Sequence, residues 1–557
     1  MDYKEEIAKL AKKTSGLNID FLQMIEIPPD SSMGDYAIPC FPLAKQLKKA
    51  PQQIADDIAA KLKAIWLDKA EAKGPYINLF IKKSCLFEDV ISEIQNKKDK
   101  YGSSQEGKGK KALIEHTSIN PNASPHVGRA RNALIGDAIV RLMRFQGYKT
   151  DVHYFVNDVG KQIAMLVLGA GTKKPAFDSL LKLYVDINNK IKAKPELEKD
   201  VFELLNKLEN GDKSVRKRFR AIVETCIKGQ AKIFAELGIK YDSFDYESDY
   251  LWNNKAKQSL ELLNKTGKLS EDEEGRLVLN QEEYNLPLKA PFLVLTRADK
   301  TSLYPLRDIA YTMDKAKLAK GANVIVLGED QKLYFQQLAA AMDLLGFKAP
   351  VPVHYSFVLL SDGRMSTRQG SVILLEDFMQ EAVEKAKHEI KKRHGKADEK
   401  TAKDIAYGAV KYAVLKVSNE KNVTFDWDSA LSFEGETGPY IQYTYARARS
   451  ILRKAGKAPV KADYCLLMDE SEKKLVSLLG AFPEAVNASA SHFRPSTLAK
   501  YLLDLSQAFN EFYHSCQCLS ENVEPKLRDA RLLLVSSASI VIKTGLFLLG
   551  INAPERM

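Results

Sequence analysis

His126, Gly128 and Arg129 lie in one short polar segment, and their side chains are suited to binding a nucleoside triphosphate. A histidine can donate a hydrogen bond to phosphate, and a glycine leaves room for a flat base or sugar. Arginine carries a fixed positive charge, which Arg131 reinforces. The chemistry that they indicate is stabilisation of charge on phosphate groups. An isolated His-x-Gly pattern is more often only the capped start of a helix, so this interpretation depends on support from elsewhere in the chain.

A second segment, GRMSTRQG at residues 363–370, supplies that support. It lies between the apolar runs 354–360 and 371–375, and a glycine bounds it at each end. A loop of this kind, with two arginines, a serine and a threonine, can close over a triphosphate and follow its charge as it moves. The residues with this predicted role are Arg364, Met365, Ser366 and Arg368.

A strand, a helix and a second strand are predicted around the first segment. The apolar run 112–117 is typical of a strand, and the apolar periodicity of residues 129–145 indicates a helix that ends before Gly147. Residues 152–156 are β-branched and aromatic and predict the second strand. The segment 120–129 would then leave the carboxyl end of a strand and enter a helix. That position directs free N–H groups and the positive end of the helix dipole at a ligand.

Two groups of residues have the chemistry needed to receive a guanidinium or ammonium group. Glu115, Ser118 and Asn120 would lie at the carboxyl end of the first strand, where they offer one carboxylate and neutral acceptors. Tyr304 and Asp308 are four residues apart and would share a helix face. The ring could then cover an apolar stem while the carboxylate binds a guanidinium group. Arginine fits this pair well.

A further predicted strand, 323–327, leads into a loop that contains Gly328, Glu329 and Gln331. Ordinary strand, loop and helix connections would explain this pattern taken alone. They do not explain why a tyrosine, an aspartate and a glutamine all follow such connections. We therefore expect these loops to meet at one site.

A basic and partly aromatic helix face is predicted in the carboxyl region. Gly438 and Pro439 can begin a helix. Along it, residues suited to stacking unpaired bases and contacting phosphates recur at intervals of three, four and seven: Tyr440, Tyr443, Arg447 and Lys454. An aromatic stripe alone would more often belong to a core.

Composition predicts several globular domains and an anionic partner. The 557 residues are 45% hydrophobic, and 83 Lys plus Arg against 72 Asp plus Glu give a formal net charge of +11. The six cysteines are scattered without zinc spacing, which is typical of reduced thiols in the cytosol, and no metal site is predicted. The charged start, and the lack of any run of about 18 apolar residues, predict a cytoplasmic protein that does not cross a membrane.

The segments HVGR at 126–129 and RMSTR at 364–368 resemble the two signature motifs of class I aminoacyl-tRNA synthetases, usually written HIGH and KMSKS. Other stretches resemble arginyl-tRNA synthetases in particular: GDYAIPCFPLAK, KGPYINLF, NDVGKQ and GETGPYIQYTYARARSILRK. Arg129 stands where the first motif has its second histidine, and Arg364 where the second motif has its first lysine. Both differences keep or add positive charge.

The resemblance implies a multidomain α/β fold in which a Rossmann-type parallel sheet forms the catalytic domain. It implies an α+β amino-terminal domain at 1–106 that contacts the tRNA elbow. The catalytic domain would span 107–385 and contain a helical insertion at about 166–281. Residues 386–557 would form an all-α, anticodon-binding bundle.

The resemblance also implies the reaction and its participants. The chain would activate arginine with ATP to arginyl-adenylate and transfer the arginyl group to the terminal ribose of tRNA(Arg), with Mg²⁺ on the pyrophosphate. We expect it to act as a monomer. Catalytic roles would fall to His126, Arg129, Arg364, Ser366 and Arg368. ATP contacts would come from Pro125, His126, Gly128, Arg129, Gly328, Glu329, Val358, Met365 and Ser366. Arginine contacts would come from Glu115, Ser118, Asn120, Tyr304, Asp308 and Gln331. Contacts to tRNA would come from Tyr76, Asn78, Tyr440, Tyr443, Arg447 and Lys454, although Tyr76 could equally pack an edge strand.

Two alternatives remain. A tRNA-binding paralogue without catalysis could lose the second signature loop, whereas residues 364–368 keep its chemistry. A related nucleotidyl-transfer enzyme acting on a small molecule would have no use for the basic and aromatic carboxyl region.

Overall fold

A computed structural model describes residues 3–360, 373–394, 398–456 and 459–557. The chain divides into two compact units. The first comprises Met1–Tyr101, Ile451–Gly480 and Ala508–Ile540, and the second comprises Gly102–Ser450, Ala481–Gln507 and Val541–Met557. The first unit is therefore built from the start of the chain and from two segments of its carboxyl region.

The strands form small antiparallel sheets, one parallel sheet and one parallel pair. In chain order they are β1 (Tyr36–Pro39), β2 (Leu67–Lys73), β3 (Tyr76–Ile81), β4 (Lys111–Glu115), β5 (Lys149–Val156), β6 (Ser243–Tyr246), β7 (Leu269–Glu271), β8 (Leu277–Asn280), β9 (Phe292–Val294), β10 (Gly321–Gly328), β11 (Val351–Tyr355), β12 (Val358–Leu360) and β13 (Val423–Phe425).

Helices provide most of the remaining structure, and the predicted helices at 129–145 and from Gly438 are confirmed. In chain order they are α1 (Tyr3–Ser15), α2 (Phe21–Met24), α3 (Phe41–Leu47), α4 (Pro51–Ala59), α5 (Lys83–Lys97), α6 (Val127–Phe145), α7 (Lys161–Ala170), α8 (Leu180–Ala193), α9 (Leu197–Glu209), α10 (Lys213–Glu236), α11 (Asp249–Trp252), α12 (Lys255–Lys265), α13 (Tyr304–Leu318), α14 (Lys332–Leu344), α15 (Leu375–His394), α16 (Glu399–Leu415), α17 (Trp427–Leu431), α18 (Gly438–Ala455), α19 (Glu470–Gly480), α20 (Phe482–Ser491), α21 (Pro495–Ser515) and α22 (Pro525–Leu548).

A parallel sheet with the order β11-β10-β4-β5-β6 organises the second unit. The chain builds outward from β4 in one direction, through β5 and β6, and then in the other, through β10 and β11. The direction of winding therefore reverses between β4 and β10. In open sheets of this kind, ligands bind in the crevice at the carboxyl ends of the two strands that flank such a reversal.

The helical insertion predicted at about 166–281 contains more than helices. Helices α7 to α10 share one apolar core. The same region, however, supplies β6, which pairs with β5 as the edge strand of the parallel sheet. All four β6 residues are only half-buried. Because an edge strand buries so little, its sequence SFDY has no apolar pattern that would have predicted it.

In the first unit, an antiparallel sheet with the order β1-β3-β2 packs against α1, α3 and α4. Tyr76 lies in β3, which is the central strand of this sheet rather than an edge strand. Helix α22 is long and apolar enough to span a membrane by length and composition. However, 72% of its most apolar stretch is buried inside the protein. Such a helix is also typical of a protein core.

Candidate active site

A cavity of about 440 Å³ occupies the crevice between the carboxyl ends of β4 and β10. Its lining includes all the residues predicted to contact arginine, together with two of the residues predicted to contact ATP. These are Glu115, Ser118, Asn120, Tyr304, Asp308, Gln331, Arg129 and Gly328. Segments that are far apart in sequence therefore meet where the topology places a ligand site. The role of each residue stays a prediction.

The chain leaves β4 in an unusual conformation. Thr117 and Ser118 both have positive φ, 73° and 43°, a region that side chains other than glycine rarely occupy. The Asn132 side chain accepts a 2.6 Å hydrogen bond from the Thr117 N–H, and the Tyr241 hydroxyl donates to Thr117 Oγ1 at 2.8 Å. The Phe155 N–H donates to Ser118 Oγ at 3.1 Å. These contacts hold the loop so that its side chains face the cavity.

Glu115 lines the cavity and is not a free carboxylate. Its side chain forms a buried ion pair with Lys315 of α13, and the two residues are 5% and 1% exposed. The Ser118 hydroxyl lies 3.4 Å from the other carboxylate oxygen. Lys315 was not among the predicted site residues, although its position seven residues after Asp308 places both on one face of the helix.

Asp308 is the second carboxylate of the cavity. It accepts a hydrogen bond of 2.8 Å from the Tyr334 hydroxyl and one of 3.4 Å from Thr312. Burial raises the pKa of Asp308, while the charge of Lys315 and the Tyr334 hydrogen bond oppose that shift. Beside it, Tyr304 is 56% exposed, and its ring centroid lies 5.2 Å from that of Tyr334. A carboxylate that is costly to bury without a partner suits a cationic ligand.

A second cavity, of about 330 Å³, shares Asn120, Asn157 and Tyr304 with the first. Glu247 lines both cavities and forms a buried ion pair of 2.8 Å with Arg307. Burial raises the pKa of Glu247 to about 7, although Arg307 opposes that shift. Glu247 directly follows β6 in the chain. Because that strand was not predicted, Glu247 was not predicted to line the cavity either.

The first signature segment forms the amino-terminal end of α6. Pro125 is buried, His126 is the half-buried residue that precedes the helix, and Arg129 is exposed. Burial, with the charge of Arg129, lowers the pKa of His126. A neutral imidazole near the positive end of a helix remains able to donate one hydrogen bond to a phosphate oxygen.

The second signature segment, with Arg364, Met365, Ser366 and Arg368, lies outside the described residues. Residues on its carboxyl side are tied to the first segment. The Val127 N–H donates to Ile373 O at 3.0 Å, and the Leu375 N–H donates to Pro125 O at 2.8 Å. The described residues that follow the second signature segment in the chain are therefore hydrogen-bonded directly to the backbone of the first segment.

Arg131 has a different role from the predicted one. It is 0% exposed, and its guanidinium group donates to three backbone carbonyl oxygens at 2.7 to 2.9 Å, those of Ser356, Ser418 and Lys421. The prediction that it adds charge at the phosphate site is therefore wrong. Arg131 instead holds the connection between β11 and β12 against the start of α6. Its position two residues after Arg129 places it on another side of the helix.

Of three other predicted ATP contacts, Gly328 lines the cavity, whereas Glu329 and Val358 are not among its described lining residues. Gly328 ends β10 and lines the cavity, and a Cβ atom there would lie 2.3 Å from Asp330 Oδ1. Glu329 follows it and is paired with Lys332 at 3.1 Å. Val358 is buried in β12, where it pairs with β13.

Residues predicted to contact tRNA lie on two separate elements. In β3, Tyr76 is half-buried with its ring 6.0 Å from that of the exposed Phe41, whereas Asn78 is buried at 6% exposure. On α18, the predicted residues are the less buried ones: Tyr440, Tyr443 and Arg447 are half-buried and Lys454 is exposed. The Arg447 guanidinium lies 4.8 Å from the centroid of the Tyr443 ring. These contacts also stay predictions.

Among the described residues, no group of three or more His, Cys, Asp or Glu side chains could hold a metal ion.

Known families match nearly the whole chain. Residues 90–427 match the catalytic domain of class I (R) tRNA synthetases, residues 441–557 the DALR anticodon binding domain, and residues 1–81 the arginyl tRNA synthetase N-terminal domain.

Individual proteins are similar over their full length. The chain is 38% identical to the arginine–tRNA ligase of Methanocaldococcus jannaschii and 36% identical to that of Halothermothrix orenii, and each comparison covers 100% of both proteins. The solved structure of Thermus thermophilus arginyl-tRNA synthetase superposes with a TM-score of 0.82 at 28% identity, covering 100% of this chain and 99% of that one. The fold class predicted from the sequence is confirmed.

Proposed function

The chain belongs to the arginyl-tRNA synthetase family of class I aminoacyl-tRNA synthetases, and from this premise we propose that it joins L-arginine to tRNA(Arg) at the expense of ATP. The first step forms arginyl-adenylate and pyrophosphate. The second transfers the arginyl group to the 3'-terminal ribose of the tRNA and releases AMP.

The observation that carries this proposal is the convergence of Glu115, Tyr304, Asp308 and Gln331 on one cavity. Carboxylates beside an aromatic ring and an amide match the guanidinium group, the apolar stem and the polar end of arginine. The cavity lies at the point where the sheet reverses its winding, next to the amino-terminal end of α6, where a phosphate is favoured.

The chemistry requires positioning and charge stabilisation. A carboxylate oxygen of arginine attacks the α-phosphorus of ATP, and the bond to the pyrophosphate oxygen breaks. A ribose hydroxyl of the tRNA then attacks the arginyl carbonyl carbon, and AMP leaves. Holding the reactants in line supplies much of the acceleration, and cationic groups stabilise the negative charge that develops on the phosphates.

ATP is assigned to the groups around the start of α6 and the end of β10. His126 and Arg129 would contact phosphate oxygens, together with Arg364, Ser366 and Arg368 of the second signature segment. Pro125, Gly128, Gly328, Glu329, Val358 and Met365 would surround the rest of the nucleotide. Mg²⁺ would enter with ATP and stay with the pyrophosphate.

The tRNA would contact the chain at both ends. Tyr76 and Asn78 of residues 1–106 are assigned to the tRNA elbow. Residues 386–557 are assigned to the anticodon, through Tyr440, Tyr443, Arg447 and Lys454 on the less buried side of α18. Residues 107–385 would form the catalytic domain between them. We further propose a cytoplasmic monomer that does not enter a membrane.

Aminoacylation of unfractionated tRNA with ATP, Mg²⁺ and each amino acid in turn tests the proposal. Arginine alone should be attached, and Asp308→Ala should abolish that product. Asp314→Ala is the matched control, because Asp314 lies on the same helix but pairs with Lys255 outside the cavity. Binding of tRNA without attachment of any amino acid would favour a paralogue that has lost catalysis. Attachment of another amino acid would refute the assignment of the cavity to arginine.

A further inference from the structure

Lys315 is a buried cation on the helix that carries Tyr304 and Asp308. We propose that Lys315 is a positioning residue of the guanidinium site, which fixes the orientation of the Glu115 carboxylate and neutralises its charge. Glu115, Asp308 and Lys315 together then carry one net negative charge, which one guanidinium group can balance, while Arg129 of the same lining is assigned to ATP. This inference rests on the proposed function, because it takes arginine as the ligand of the cavity.

Lys315 is held on several sides. Its ammonium group forms the ion pair with Glu115 Oε2 and lies 4.4 Å from the centroid of the Tyr311 ring. The Tyr311 ring stacks on Phe155 with a centroid distance of 4.7 Å. The Tyr311 hydroxyl donates a hydrogen bond to Asp245 at 2.9 Å. A side chain fixed in this way can fix the carboxylate that it binds.

Lys315 acts through Glu115 and not on the ligand. Glu115 lines the cavity, whereas Lys315 does not belong to the described residues that do so. Lys315 binds Oε2 of the Glu115 carboxylate. The other oxygen, Oε1, lies 3.4 Å from the hydroxyl of Ser118, which also lines the cavity. Glu115 therefore presents one defined edge to a ligand.

The charges around the cavity support the same role. The Glu115 and Asp308 carboxylates both line the cavity. The charge of Lys315 also acts on Asp308, where it opposes the rise in pKa that burial causes. Glu247 already has Arg307 as its partner. With Lys315 in place, Glu115 and Asp308 together need one further positive charge. Without it, both carboxylates would need a positive charge from the ligand, and the Glu115 side chain would lose the contact that fixes its orientation.

The experiment compares Lys315→Met in two backgrounds, the natural chain and Glu115→Gln. The Met side chain has a similar length and no charge. In the natural background we expect KM for arginine to rise about tenfold or more, with KM for ATP within about twofold of the unmodified enzyme. In the Glu115→Gln background, Lys315→Met should change KM for arginine by less than about twofold. Residues that act as one unit show this non-additivity, whereas a general loss of packing would affect both backgrounds equally.

Three results would overturn the inference. They are an unchanged KM for arginine in Lys315→Met, an equal rise in both backgrounds, and an equal rise for arginine and ATP. If the Lys315→Met protein does not fold, the double variant Glu115→Gln/Lys315→Met is used, because it has no unpaired carboxylate. It is compared with the Glu115→Gln protein. Equal KM values for arginine then support the role, and a tenfold difference refutes it. An unmodified enzyme that attaches no arginine would instead refute the proposed function.

Discussion

Replacing Arg131 by methionine should separate stability from ATP binding when it is compared with the same change at Arg129. The two arginines are two residues apart on α6, but Arg131 is 0% exposed and Arg129 is exposed. Arg131 donates to three carbonyl oxygens within 2.9 Å. Methionine fills most of the space and leaves those acceptors without their donor.

The expected loss is large. A hydrogen bond to a charged group contributes about 1.5–3 kcal/mol, and the cost of burying the Arg131 cation offsets part of three such bonds. A net loss of about 3 kcal/mol would lower the melting temperature of a domain of 150–250 residues by roughly 6–12 °C, and because the second unit is larger we expect a fall of about 3–6 °C. Arg129→Met should lower the melting temperature by about 1 °C or less, because an exposed side chain contributes little to stability.

Thermal unfolding and ATP-dependent aminoacylation together provide the assay. Arg129→Met should raise KM for ATP about tenfold while the protein stays as stable as the unmodified enzyme, since a charge-assisted contact to phosphate is lost. An Arg131→Met protein with an unchanged melting temperature would refute the anchoring role of Arg131. An Arg129→Met protein with an unchanged KM for ATP would remove Arg129 from the phosphate site.

Two further predictions concern Gly136 in α6 and His153 in β5. Gly136→Ala would place a Cβ atom 2.2 Å from the ring of His116, which is buried at 1% exposure. Because a buried ring has little room to move, the free energy of unfolding should fall by about 1–3 kcal/mol. A melting temperature within 1 °C of that of the unmodified protein would contradict this. His153 lies between Asp245, at 2.6 Å, and Asp151, at 3.3 Å. Burial alone would lower the pKa of His153, but the hydrogen bonds and charges of these carboxylates outweigh burial and raise it. The two carboxylates therefore stabilise the folded protein through the charged His153. This contribution is complete below the unfolded pKa of about 6.5 and is lost as pH rises through the higher folded pKa. Above pH 6.5 the melting temperature of the unmodified protein should fall as His153 loses its charge, and His153→Asn should remove this part of the fall. If the melting temperatures of the two proteins change in parallel with pH, His153 does not contribute as a charged group.

Much of the fold and of the site follows from short stretches of sequence. Helix α6 was predicted because its apolar residues recur with the helical period, and strand β5 because residues 152–156 are β-branched and aromatic. The polar loops that line the cavity were predicted because parallel strands place their carboxyl ends at one edge of a sheet. Strand β6 was not predicted, because a half-buried edge strand of four residues has no distinctive pattern.

Local spacing determined which residue types could bind arginine and ATP, since motifs such as HVGR and the Tyr304 to Asp308 interval lie within one loop or two turns of helix. Only the tertiary structure decided which charges are paired. Glu115 and Lys315 are 200 residues apart and meet because α13 packs beside the end of β4. Arg131, two residues from Arg129, turns into the interior and binds carbonyl groups. Pairing between distant residues depends on the packing of whole elements, and the periodicity of a single element contains no information about its partner.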